Sequence, residues 1–179
     1  MSADMDMGDD VDKSVKVVLL FGSNDAEAGD IVRRAVAIVD LAVGPVVNLS
    51  KEYASEPYGF TSERGFVNCA AEVVTALDAY EVLRRINLIE ALLGRDRAIE
   101  AQAKSASGEA YASRPIDIDI IFYGTETFSD ERLTIPYHFL AERGYALRPV
   151  VDVAERFKHP ALELTPKEML EILDNGTKL

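Results

Sequence analysis

The sequence has 179 residues, 48% of them hydrophobic, and a formal net charge of −12 at pH 7. This length suits a single domain able to bury a real core, and the charge disfavours non-specific binding to nucleic acid or to an anionic membrane. No apolar run reaches membrane-spanning length, no signal-peptide pattern is visible, and the single cysteine, Cys69, excludes an internal disulfide, so the expectation is a cytoplasmic protein without a membrane partner.

Residues 1–13 carry five aspartates against one lysine and read as a disordered acidic tail, leaving 14–179 as one domain. Val15 to Phe21 reads as a buried strand ending at Gly22-Ser23-Asn24, a turn of small residues where backbone could approach a ligand. Ile31, Ala35, Ile38, Val39 and Ala42 recur at helical spacing and predict an amphipathic helix that stops near Gly44-Pro45. Val46 to Ala54 reads as a second strand, followed by the Pro/Gly-punctuated loop Ser55 to Phe60 and a third strand from about Phe66 to Val74. Cys69 falls in that apolar run, which favours packing over reactivity, and the absence of a cysteine partner speaks against zinc.

Asp78 and Glu81 have capping-box spacing and open a helix with apolar Val82, Leu83, Ile86, Ile89, Leu92 and Leu93, ending at Gly94. Asn87 and Glu90 lie on the side that also holds Leu83, Ile86 and Leu93, so they either line a pocket or mark the boundary of the apolar stripe. Ala98 to Ser113 has no clear apolar face and reads as a functional connection such as a lid, or as a short frayed helix. Leu133 to His138 and Arg143 to Pro149 add aromatic and basic groups. Thr165-Pro166-Lys167-Glu168 combines an N-cap, a proline at the first helical position and a capping-box glutamate, opening a structural helix that closes at Asn175-Gly176.

Between the lid and these later segments lies Arg114-Pro115-Ile116-Asp117-Ile118-Asp119-Ile120. Its alternation predicts a strand with isoleucines on one face and both aspartates on the other. The carboxylates are roughly 7 Å apart along such a strand and can converge on a metal pair about 4 Å apart. Magnesium suits carboxylates combined with substrate phosphates. The same alternation also fits an antiparallel strand whose wet face merely solvates its aspartates. Arginines recur from Arg84 onward, and such a cluster on an acidic protein suggests a local polyanion site.

The element order predicts an α+β fold with a ferredoxin-like βαββαβ core, an antiparallel sheet and additional C-terminal elements. There are no internal repeats, no Walker A sequence and no G-x-G-x-x-G.

Taken in order, Phe21-Gly22-Ser23-Asn24, Tyr53 to Gly59, Phe66-Val67-Asn68, Glu90 with Gly94-Arg95-Asp96-Arg97, Arg114 to Asp119, Leu133-Thr134-Ile135-Pro136 and Arg143 to Pro149 resemble the 6-hydroxymethyl-7,8-dihydropterin pyrophosphokinases of the folate pathway. The resemblance implies pyrophosphoryl transfer from ATP to the pterin hydroxymethyl oxygen with release of AMP. It implies two magnesium ions on Asp117 and Asp119, with Arg95 and Arg114 beside them as catalytic residues. It further implies a pterin between the rings of Phe66 and Tyr145, read by Asn68 and by the segment around Ser55, Glu56 and Tyr58. Asn87, Glu90, Arg97, Arg132, Leu133, Thr134, Tyr137, His138 and Arg143 would take the nucleotide. The partners implied are these small molecules alone, bound by a monomer. No side chain stands out as general base, so metal coordination is expected to acidify the hydroxyl.

Three departures stand out against the family pattern, one of them a lid poorer in charge than usual. Tyr137 occupies the place after Ile-Pro where the family usually has histidine, with His138 next, and Tyr111-Ala112-Ser113 replaces the usual Trp-Gly-Pro in a longer lid. Weaker nucleotide binding is expected from them. Two other classes compete: another two-metal nucleotide enzyme on a ferredoxin-like core, and a non-catalytic pterin- or nucleotide-binding module.

Overall fold

The computed structural model describes residues 14–57, 64–107 and 114–177. The acidic tail 1–13, Tyr58 and Tyr111-Ala112-Ser113 lie outside these residues. In chain order the elements are β1 (Val15–Ser23), α1 (Ala28–Ala42), β2 (Val46–Leu49), β3 (Tyr53–Ser55), β4 (Phe66–Thr75), α2 (Ala79–Leu92), α3 (Arg97–Ser107), β5 (Asp117–Tyr123), β6 (Phe128–Ser129), β7 (Thr134–Ile135), α4 (Gly144–Ala154) and α5 (Pro166–Asp174).

β1 is central because its apolar run is buried from Val17 onward. It pairs antiparallel with β4 on one side and with β5 on the other, and β2 and β3 both add to the far edge of β4. The resulting order β2-β4-β1-β5 is that of a ferredoxin-like sheet. Val17, Leu19 and Phe21 pack in one cluster with the apolar faces of α1 and α2. Val18 and Leu20 point the other way, into a second cluster with Leu147 and Val150 of α4 and Met169 of α5. Both faces of the sheet are therefore covered at its centre, which suits a strand without hydrophobic alternation.

Three segments refine the expectation. The strand expected over Val46–Ala54 is broken between Leu49 and Tyr53. There the Ser50 hydroxyl accepts the Ala70 N–H at 2.8 Å while the Ser50 N–H donates to the Ala70 carbonyl at 2.9 Å, so a side chain replaces one backbone acceptor of the ladder. The first part of the expected lid is helix α3, opened by Asp96, whose Oδ1 accepts the N–H groups of Ala98 and Ile99. Ala98, Ala101, Ala103 and Ala106 supply helix propensity without an apolar face. The aromatic and basic segment at Arg143 to Pro149 belongs to α4, which tolerates Pro149 within it.

The helix caps follow local chemistry. Asp78 accepts the Glu81 N–H at 2.9 Å, but the Glu81 side chain turns to Arg84 and Arg85 and leaves the box half made. Thr165 and Glu168 form the complete reciprocal box at the start of α5.

Candidate active site

Strand register builds the site. Asn68 of β4 pairs with Gly22 of β1, and Gly22 pairs with Asp117 of β5, so the three form one row across the sheet. Directly paired residues share a face, and two strand spacings separate Asn68 from Asp117 by roughly 10 Å. Gly22 is the floor between them: a Cβ there would sit 3.3 Å from Asn68 Oδ1 and 3.8 Å from Phe66. In the next row of this face, Leu20 pairs with Asp119.

Above this floor lies a cavity of about 490 Å³ that Asp117 and Asp119 share with Phe66, Asn68 and Tyr145. Ser55 and Glu56 line the same end. Asn68 is 3% exposed and its Nδ2 donates to Ser55 Oγ at 2.8 Å, which holds the carboxamide in place. The nucleotide candidates Asn87, Arg97, Arg132, Leu133, Thr134, Tyr137 and Arg143 line it too, together with Arg95 and Arg114. Two candidates do not. His138 packs its ring against Phe139, with centroids 4.8 Å apart, and Glu90 lies beneath the wall. Leu83 and Ile86, which share the helix side of Asn87, line the cavity too, as does Phe139, which was not singled out in the sequence; the aromatic run around Arg143 was its signal.

Five arginines and three carboxylates, Glu56, Asp117 and Asp119, face the cavity. On a chain of net charge −12 such a concentration of arginine forks is suited to a polyphosphate. Asp117 accepts Arg95 Nη1 at 2.5 Å and pairs with Arg114 Nη1 at 3.1 Å. The Arg114 N–H donates to Asn24 Oδ1 at 3.0 Å, so the small turn after β1 anchors the start of the aspartate strand.

Glu90, 1% exposed, organises the level beneath. Its Oε1 accepts Arg95 Nη1 at 2.7 Å and the Ile118 N–H at 2.8 Å, while Oε2 accepts Arg97 Nη2 at 2.5 Å. Burial pushes its carboxyl above the ordinary range, against the pull of Arg95. Arg95 also binds Glu100 at 2.8 Å. Burial works against its charge, but the Glu100 bond, Asp117 and Glu90 outweigh it and hold the guanidinium strongly protonated.

Asp119 has no hydrogen bond or ion pair among the described residues. Burial, then repulsion from Asp117 and Glu90, pushes its carboxyl upward. A half-buried carboxylate lining a cavity beside a second carboxylate is a donor set suited to a hard cation. No cluster of three or more metal-ligating side chains occurs among the described residues, so remaining coordination positions would fall to water and substrate oxygens, as magnesium favours.

The site is completed from the hairpin β6–β7 and the segment after it. Asp130 accepts the N–H groups of Arg132 and Leu133 at 2.7 and 2.9 Å and the Tyr80 hydroxyl at 2.5 Å. The Arg132 guanidinium lies over the Tyr80 ring, 5.2 Å from its centroid.

Comparison with known proteins places the chain in a family. Residues 18–155 match the sequence profile of 7,8-dihydro-6-hydroxymethylpterin-pyrophosphokinase (HPPK). The 2-amino-4-hydroxy-6-hydroxymethyldihydropteridine pyrophosphokinase of Porphyromonas gingivalis is 30% identical over 145 residues, covering 80% of this chain and 93% of the relative. Its counterpart in Bacillus subtilis is 28% identical over 144 residues, covering 80% of each. The folic acid synthesis protein fol1 of Pneumocystis carinii is 29% identical over 163 residues, which are 90% of this chain but 21% of that protein. The chain thus spans about a fifth of the length of such larger relatives. A crystal structure of HPPK-DHPS in complex with substrates superposes with a TM-score of 0.72 at 14% identity, covering 90% of this chain and 43% of the other, which supports the fold.

Proposed function

The chain belongs to the 7,8-dihydro-6-hydroxymethylpterin-pyrophosphokinase family, and from that premise we propose that it transfers pyrophosphate from ATP to the hydroxymethyl group of 6-hydroxymethyl-7,8-dihydropterin. The observation that carries this reading is the sheet row Asn68, Gly22, Asp117, which sets a carboxamide and a carboxylate at the two ends of one glycine floor. A flat heterocycle lying over Gly22, read by Asn68 at its amide-like edge and flanked by Phe66 and Tyr145, would extend its hydroxymethyl arm toward Asp117 and Asp119.

Asp117 and Asp119 would hold two magnesium ions, which when bound would neutralise triphosphate charge and lower the pKa of the attacking hydroxyl. Arg95 and Arg114 hold the Asp117 carboxylate in place through its two oxygens. Arg97, Arg132 and Arg143 line the cavity as phosphate ligands, their planar forks suited to equatorial oxygens. Little covalent work falls to the protein; its task is to place the hydroxyl in line with the β-phosphorus and to match the charge. Asn87, Leu133 and Thr134 then face the nucleoside end. A monomer in the cytoplasm belongs to the same proposal, and among the described residues no helix is long and apolar enough to cross a membrane.

The test is nucleotide chromatography after mixing protein, ATP, magnesium and the dihydropterin, beside an Asp117→Asn, Asp119→Asn double variant. Pterin-dependent AMP that disappears in the variant supports the reading. Pyrophosphate in place of AMP would point to a cyclase-type enzyme on the same core, and pterin binding without turnover to a binding module.

A further inference from the structure

Tyr137 stands beside the aspartate strand, its backbone N–H donating to the Ile121 carbonyl at 3.1 Å, two residues beyond Asp119. Its hydroxyl accepts Arg143 Nη1 at 2.6 Å, and the same nitrogen donates to the Tyr145 hydroxyl at 2.8 Å. One cationic nitrogen thus bridges two phenol oxygens. Phe139 seals it, with the Arg143 guanidinium carbon 4.1 Å from its ring centroid, and Arg143 is only 7% exposed. Tyr137, Phe139, Arg143 and Tyr145 all line the cavity that holds Asp119.

A phenyl ring that offers its face to a ligand can be oriented by its neighbours' packing or by its one polar atom. For Tyr145 that atom is tied to a charged donor, and bonds to charged groups are the strong ones. The donor is in turn tied to Tyr137. We infer that Tyr137 is a positioning residue for the pterin: through the Arg143 bridge it sets the plane of the Tyr145 ring, so that the residue at this place serves the pterin wall as well as the nucleotide side. This deepens the reading of the previous section and rests on it. The specificity it confers is for a flat heterocycle, because a fixed ring plane rewards only a ligand that can lie parallel to it.

The test is a double-mutant cycle on pterin affinity, measured by calorimetric titration of 6-hydroxymethyl-7,8-dihydropterin into the full chain, with KM and kcat from AMP formation. The variants are Tyr137→Phe, Tyr145→Phe and the pair, each checked by circular dichroism for folding. Each single change is expected to weaken pterin binding about fivefold, and the pair to weaken it no further than the worse single. KM for the pterin should rise with affinity loss while kcat stays within about twofold. Unchanged affinity in Tyr137→Phe, losses that multiply in the pair, or a fall confined to kcat or to ATP affinity would each overturn the inference. If Tyr137→Phe does not fold, Tyr145→Phe breaks the same bridge from its other end, and unchanged pterin affinity there overturns the inference equally. Wild-type protein that makes no pterin-dependent AMP overturns the proposed function and this inference with it; wild-type turnover with multiplying losses overturns the inference alone.

Discussion

Glu90 accepts the backbone N–H of Ile118 at 2.8 Å, so a carboxylate from helix α2 grips β5 at the residue between Asp117 and Asp119. The same oxygen takes Arg95, which in turn holds Asp117. One buried acid therefore sets both the backbone and the charge balance of the two carboxylates expected to hold magnesium.

Glu90→Ala is expected to cost about 1 to 3 kcal/mol, because it leaves the buried Ile118 N–H without its acceptor and takes from buried Arg95 one of its three carboxylate partners. Denaturant unfolding measures the loss. A destabilisation of about 0.5 kcal/mol or less, as for an exposed ion pair, would contradict this account.

Asp119→Asn should remove activity about a thousandfold or more, on the scale of metal-derived stabilisation of transition-state charge. In metal-free buffer at neutral pH the same variant should melt no lower than the wild type, since it relieves burial and repulsion at a carboxylate that has no ion pair among the described residues. Activity assays and thermal melts together check this; a clear drop in melting temperature would show that Asp119 is structural.

Ser50→Ala should cost about 1 to 3 kcal/mol, the range for leaving a buried donor unmet, because Ala70 N–H loses its acceptor in the middle of the sheet. Urea unfolding reads the change. A neutral result would mean that the ladder can re-form across the break between β2 and β3.

Burial lowers the pKa of His159 below the ordinary 6.5, and its Nδ1 accepts the N–H groups of Ala161 and Leu162, both at 3.2 Å. The folded state thus favours neutral imidazole. Its contribution is complete above the unfolded value and is lost as pH falls through 6.5 toward the lower folded value. Melting temperature should therefore decline between about pH 7.5 and 5.5, and His159→Asn should flatten that decline. An identical slope in the variant would assign the pH dependence elsewhere.

Tyr137 engages Arg143, and His138 is not among the residues that line the cavity, so nucleotide binding weaker than is usual for the family is the expected outcome. Equilibrium titration with a non-hydrolysable ATP analogue and magnesium checks it. A submicromolar dissociation constant would contradict it.

Much of this was legible in the chain because it depends on short-range regularities. Alternation placed Asp117 and Asp119 on one face, helical spacing located α1 and α2, and Thr165 with Glu168 announced the start of α5. Their periods and caps act over a few residues, so neighbours in sequence suffice to read them. Helix α3 was harder, since its alanines carry propensity but no apolar stripe, and Pro149 obscured α4.

What only the tertiary structure decided depends on pairing between distant segments. The register of β1 against β4 and β5 sets Asn68, Gly22 and Asp117 in one row, although they are separated by dozens of residues. Ser50 could be recognised as a ladder acceptor only once Ala70 lay opposite. Glu90 read in sequence as a polar residue beside an apolar stripe; whether it faced solvent, a ligand or a buried cation was settled by the arrival of Arg95 and Ile118, because a buried charge is tolerated only where partners converge on it.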